Sequence, residues 1–152
     1  MTTPIWQNAN DSSNERKVAD KLAELLGWKF YTTPRFHWCD YHVNQTSKGG
    51  YENYIGDIEI KWMGIPSTEE VRFPLEKLQK LWMTEPMYDN PEAYNRVCIR
   101  YKDGILLIPA KRLRMIEPQL SLTRADTGEM DFNVHFTAAT DFPKNMMGII
   151  VK

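Results

Sequence analysis

The sequence predicts an α/β (α+β) domain. Three observations carry this: two stretches with helical spacing of apolar residues, several period-two stretches rich in aromatic and β-branched residues, and a length that suits one core. The chain has 152 residues, 42% hydrophobic and 26% charged, enough to bury a real core in a single domain. Lys and Arg number 19 against 20 Asp and Glu, a formal net charge of -1, so any polyanion must be met by a local basic patch. Two cysteines, Cys39 and Cys98, allow only one pairing and no disulfide framework, which makes reduced thiols in a cytoplasmic setting the simpler expectation. No apolar run approaches the roughly 18 residues of a membrane span, and Met1 to Asn14 lacks the basic start and apolar middle of a signal peptide. The chain therefore reads as soluble, with no membrane partner.

Residues 1–13 are rich in Thr, Asn, Ser and Asp and are expected to form a loose arm. From Asn14 to Leu26, the apolar residues Val18, Leu22, Leu25 and Leu26 follow helical spacing, and Gly27 supplies a stop. Phe30, Tyr31, Phe36, Trp38, Tyr41 and Val43 read as strand, interrupted at Pro34. The polar stretch around Gly49-Gly50 leads into Tyr54 to Met63, where Ile58, Ile60 and Trp62 alternate with Asp57, Glu59 and Lys61, so a hairpin is expected. Pro74 marks the start of a second amphipathic helix through Leu75, Leu78, Leu81 and Trp82. Val97 to Ile99, the turn Lys102-Asp103-Gly104 and Ile105 to Ile108 read as two more strands, followed by a short helix at Ala110 to Ile116. Residues 117–152 form a C-terminal extension packed on the same domain, with an alternating strand at Phe132 to Phe136 and an apolar end at Ile149 to Val151. The extension is also open to a role as the contact element of a homodimer.

The carboxylates carry the chemistry. On a helical wheel, the apolar stripe of the first helix points close to Glu15, while Arg16, Lys17, Asp20, Lys21 and Glu24 point elsewhere. Either Glu15 serves a site in the core or it closes a capping box with Ser12 at the helix start. Period two puts Asp57, Glu59 and Lys61 on one strand face, which is either a solvated outer face or an ionisable site. A two-residue turn at Gly49-Gly50 places Asp40 opposite Glu59, with β-carbons roughly 4.5 to 5.5 Å apart. Like charges there ask for a compensating cation. Two carboxylates with a lysine nearby suit a hard divalent ion that retains water and takes phosphate oxygens.

The order Glu15 in an opening helix, Asp40 in one strand and Glu59-Ile60-Lys61 in the next, followed by a helix and further strands, resembles the PD-(D/E)XK nuclease superfamily. The resemblance spans Glu15 to Pro109, with Cys39 where the proline of the motif's name would stand. It implies a mixed central β-sheet flanked by helices, with a restriction-endonuclease-like αβββαβ core over residues 14–116. It further implies a DNA endonuclease, phage-type or junction-resolvase-like, using Mg²⁺, with Mn²⁺ as substitute. Asp40 and Glu59 would be metal ligands, with the Ile60 carbonyl as a third, Lys61 the catalytic lysine and Glu15 the accessory acid. Asp57 is the rival of Asp40 for the ligand role. Lys77 and Gln79 resemble the Lys or Gln that members bring near the site, although a solvated helix face explains them equally well.

Arg96, Arg100, Lys102, Lys111, Arg112 and Arg114 stand against the single acid Asp103, an excess that suits either DNA phosphates, with Arg100 and Lys102 as contacts, or a solvated surface. His37, Cys39 and His42 invite a zinc reading, but in an extended strand His37 and Cys39 face away from His42 and no fourth ligand is evident. The rival to an enzyme is a non-catalytic nucleic-acid- or protein-binding module that keeps the same fold.

Overall fold

A computed structural model describes residues 9–33, 39–86, 90–124 and 127–148. The chain opens with α1 (Ala9–Leu26) and continues through β1 (Trp28–Thr32), β2 (Tyr41–Thr46), β3 (Glu52–Trp62) and β4 (Val71–Pro74) to α2 (Leu75–Met83). Then come β5 (Arg96–Arg100), β6 (Ile105–Pro109), a 3-10 helix at Ala110–Met115, β7 (Gln119–Arg124), β8 (Glu129–Phe136), α3 (Ala138–Asp141), a 3-10 turn at Pro143–Asn145, and β9 (Met146–Met147). Six strands form a mixed sheet in the order β1-β2-β3-β5-β6-β9, and three form a second sheet in the order β4-β8-β7. In the six-stranded sheet only β3 and β5 run parallel; the other neighbours are antiparallel. A parallel neighbour needs a crossover, and the segment containing β4 and α2 supplies it.

Helices flank the large sheet, and each face has its own core. On one face α1 packs Val18, Ala19 and Leu22 against Tyr41, Val43, Ile58, Ile60, Cys98 and Ile105. On the other, Leu78 and Leu81 of α2 and Val71, Phe73, Val134 and Phe136 of the second sheet pack on Val97, Ile99, Leu106 and Ile108. With both faces covered, the period-two strand β3 has no solvated side: Asp57 and Glu59 are buried along with Ile58 and Ile60. Of the two readings of that face, the solvated surface does not hold for Asp57 and Glu59, which line an inner wall, with Glu59 against Lys77 of α2.

Register explains how β2 and β3 meet. The hairpin has a three-residue loop rather than a two-residue one: Ser47 N–H donates to Tyr51 O at 2.7 Å and Gly50 N–H to Ser47 O at 3.0 Å, with Gly50 at φ 83. That loop shifts the pairing by one residue, as in Asn44↔Tyr54. A β-bulge at Ile55 then restores the register, giving Val43↔Gly56 and Tyr41↔Ile58. The bulged carbonyl is not orphaned, because Ile55 O accepts from Tyr94 N–H at 3.0 Å and from Arg96 Nη1 at 2.9 Å.

Several boundaries differ from expectation. Helix α1 begins at Ala9, so residues 9–13 of the expected arm are helical and Ser12 lies inside the helix rather than at a cap. Leu25 is 48% exposed, and Ala19 takes its place in the buried stripe. Strands β4 and β7 are short or flanked by turn residues and carry no long alternating pattern. Phe36 and Trp38, the residues before Ala9, and Ile149 to Val151 lie outside the described residues. Among those described, no helix is long and apolar enough to cross a membrane.

A β-carbon on Gly56, at φ 124, would lie 2.2 Å from Tyr94 O. The bulge thus needs glycine both for its backbone angle and for the approach of the neighbouring chain. Gly56→Ala is expected to lower unfolding free energy by about 3 kcal/mol, measured by denaturant titration. A loss below about 0.5 kcal/mol would show that the register does not depend on this approach.

Candidate functional site

Three carboxylates and two ammonium groups collect at the end of the large sheet where α1, β2, β3 and α2 converge. Glu15 extends the stripe of Val18, Ala19 and Leu22 by one helical turn, so α1 carries it, half-buried, to the sheet. With no capping role left for Ser12, its position follows from the face that α1 presents. Asp40 stands just before β2. Its N–H donates to Ile58 O at 3.1 Å, and its Oδ2 accepts from Ile60 N–H at 2.6 Å. The β2–β3 pairing ends at Tyr41↔Ile58, and beyond it the Asp40 carboxylate lies close enough to Glu59 for the two charges to repel. Glu59, 5% exposed, and Lys61 lean from β3 toward α2 and β4. Lys77 of α2 meets Glu59 with Nζ 2.5 Å from Oε1, and Lys61 Nζ lies 5.7 Å from the centre of the Phe73 ring of β4.

The electrostatics follow from this crowding. Burial, then the Glu59 and Glu15 carboxylates, hold the Asp40 carboxyl well above the usual range, against the pull of the Ile60 N–H and Lys77. Burial, then the Lys77 ammonium, push Lys61 down to about 8, opposed by Glu59. Burial pulls Lys77 down, but Glu59, Asp40 and Glu15 together outweigh it and leave Lys77 raised. The carboxylates of Asp40, Glu59 and Glu15 crowd around the Lys77 ammonium, whereas the close grouping of metal-capable side chains among the described residues is a different one, Cys39, His42 and Asp57. Carboxylate oxygens are the donor type that a hard divalent cation takes.

Asp57 faces the same way as Glu59 but is engaged elsewhere. Its Oδ1 accepts from Tyr54 Oη at 2.5 Å and lies 2.5 Å from His42 Nδ1, and its N–H donates to Asn95 Oδ1 at 2.8 Å. Of the two rivals, Asp40 is the one tied to the Glu59-Ile60-Lys61 strand segment. The chain bends at Cys39 and Asp40 instead of continuing as a strand. Cys39 therefore does not face away from His42: the ligand atoms of Cys39, His42 and Asp57 all lie within 4.8 Å of one another. His37 lies outside the described residues.

Of the residues expected to touch nucleic acid, the structure brings only Lys77 to this cluster. Gln79 is exposed on α2, about 200° around the helix from Lys77. Arg100 is 5% exposed; it donates to Tyr101 O and stacks 4.3 Å from the centre of the Trp62 ring, so it is enclosed rather than presented to a phosphate. Lys102 is exposed. Arg96, likewise buried, sits between the Tyr94 and Trp28 rings at 3.9 and 4.6 Å. Aromatic faces explain how guanidinium groups enter the fold there. The sequence gives no direct sign of Phe73 beside Lys61 or of Tyr54 and Asn95 around Asp57. For Phe73, the alternation Val71-Arg72-Phe73 before Pro74 is a usable strand signal. No protein-family profile, characterised protein or solved structure matches this chain.

Lys61 has a folded pKa below its unfolded value of 10.5. The unfolded chain therefore binds the extra proton between about pH 8 and 10.5, and the lysine's contribution to stability rises with pH across that window. Wild type is expected to gain about 5 °C in Tm relative to Lys61→Met between those limits, measured by thermal unfolding at a series of pH values. Parallel curves for the two proteins would place Lys61 in water.

Proposed function

We propose that the protein is a Mg²⁺-dependent DNA endonuclease whose site is formed by Glu15, Asp40, Glu59, the Ile60 carbonyl and Lys61, with Lys77 at its edge. The observation that carries this reading is the bond from Ile60 N–H to Asp40 Oδ2, which holds the Asp40 carboxylate, just before β2, near Glu59, with Lys61 two residues on from Glu59 in β3. The closeness of Asp40 to Glu59, Glu15 and Lys77 supports it, since these are side chains that the PD-(D/E)XK resemblance singles out. The order α1, β1 to β3, then β4 and α2, then β5 parallel to β3 gives a mixed sheet flanked by helices, the fold class that this reading requires.

Asp40 and Glu59 would hold the ion from two sides, while Glu15 orders the outer part of its shell. Bound there, Mg²⁺ supplies an acidified water and neutralises charge developing on the phosphate. Lys61, with its pKa of about 8, is poised near neutral pH either to orient that water or to place positive charge by the phosphate. Lys77 meets Glu59 with its side chain 41% exposed, so it has room to turn toward a phosphate. The exposed cross-strand pairs Leu120↔Phe132 and Leu122↔Met130 on the β7–β8 ribbon support a homodimer, which would offer two sites to the two strands of a duplex.

The Lys77–Glu59 pair also favours a second reading, a binding module whose buried acid is neutralised from within. Nicking of supercoiled, single-stranded, flapped and junction DNA with Mg²⁺ or Mn²⁺ separates the two. The nuclease is expected to lose at least ~100-fold in rate in Asp40→Ala, Glu59→Ala and Lys61→Ala variants. Inactivity of the pure wild-type chain on all four substrates with both ions would leave the binding module standing.

A further inference from the structure

We infer that Cys39, His42 and Asp57 form a second metal site, separate from the carboxylate cluster, which takes a borderline-soft divalent ion of the zinc class. His42 and Asp57 are direct cross-strand partners in β2 and β3. The bend at Cys39 and Asp40 brings the thiol to the same side, and the three ligand atoms lie within 4.8 Å of one another. Tetrahedral zinc with ordinary Zn–S and Zn–N bonds separates its ligand atoms by about 3.3–3.6 Å, so the 2.5 Å His42–Asp57 contact opens to admit the ion while the other separations, within 4.8 Å, need small side-chain adjustments. One sulfur, one imidazole nitrogen and one carboxylate oxygen favour zinc over Mg²⁺, whose preference is for oxygen alone.

The ligands are held by outer contacts of the kind that orient a metal site. Tyr54 Oη donates to Asp57 Oδ1 at 2.5 Å, and Asn95 Oδ1 accepts the Asp57 N–H at 2.8 Å. Thr33 Oγ1 donates to the Cys39 carbonyl at 2.6 Å. Cys39 and Asp57 are each 3% exposed, while the His42 side chain is 38% exposed and offers the ion a way in. On binding, the thiol gives its proton to solvent, the proton held between His42 Nδ1 and Asp57 Oδ1 leaves that contact for solvent or Nε2, and a water completes the shell. Cys39 immediately precedes Asp40, so the ion would pin the bend from which the Asp40 carboxylate reaches Ile60. The site does not rest on the nuclease reading.

The test uses the full chain, stripped with a chelator and titrated with Co²⁺ followed by Zn²⁺. Expected are one equivalent of Co²⁺ showing a sulfur-to-cobalt charge-transfer band with intense tetrahedral d–d absorption, and loss of both on adding one equivalent of Zn²⁺. The band should vanish in Cys39→Ser and persist in Cys98→Ser, Asp40→Ala and Glu59→Ala. His42→Ala should weaken Co²⁺ binding at least ~10-fold. No band in the wild-type chain, a result that needs no variant to fold, overturns the site, as does a band that survives Cys39→Ser. Nicking without the band would sink this site alone, and the band without nicking would sink the nuclease reading alone.

Discussion

The carboxylate of Asp40 accepts the Ile60 N–H at 2.6 Å, and around that bond the candidate site is arranged. It substitutes a side-chain oxygen for a main-chain acceptor where β2 runs out, so an acid is held at the seam between two strands. Glu59 and Lys61 flank the donor residue on β3 and are fixed by the same contact. The bond exists because the β2–β3 register is right at that point, and the register is right because two irregularities cancel. The three-residue loop at Lys48 to Gly50 displaces the pairing, and the bulge at Ile55 returns it. Tyr94 and Arg96 hold the bulge by its carbonyl, which couples the hairpin to the neighbouring parallel strand.

Burying acids on the inner face of a strand opposes folding unless positive charge follows them in. Lys77 and Lys61 provide some, yet Asp40 still sits well above its usual range through burial and its acidic neighbours. The site is thus built against local stability and supported by its surroundings, a common property of functional clusters. The two cores take up the load, with α1 behind Ile58 and Ile60 and with α2 and the second sheet in front. Asn95 links these layers. It accepts the Asp57 N–H and donates to Leu81 O at 2.7 Å at the end of α2, and its own carbonyl accepts the Ala110 N–H at 2.8 Å.

Much of this was legible in the residues. Helical spacing located α1 and α2, alternation located β3, and the nearness of Asp40 to Glu59 agrees with a hairpin at Gly49-Gly50. The loop length and the bulge were not legible, because a bulge leaves no mark in hydrophobic periodicity and Gly56 resembles any other glycine in a strand. The burial of Asp57 and Glu59 was not legible: alternation specifies two faces but not what covers them, and β4, which helps to cover one, is only four residues long. The Cys39–His42–Asp57 grouping was hidden by the same assumption, that of an unbroken strand through Cys39 and Asp40. Arg100 looked like a phosphate contact because charge composition cannot tell a guanidinium in water from one lying on Trp62.

The most direct measurement is the anomalous scattering of Mn²⁺ in crystals of the wild-type chain. The expected result is an ion within ordinary coordination distance of the Asp40 and Glu59 carboxylates and the Ile60 carbonyl, with Lys77 moved off Glu59. A crystal soaked to saturation that shows no ion there, with Lys77 still paired to Glu59, would contradict the assignment of this cluster as a metal-dependent nuclease site.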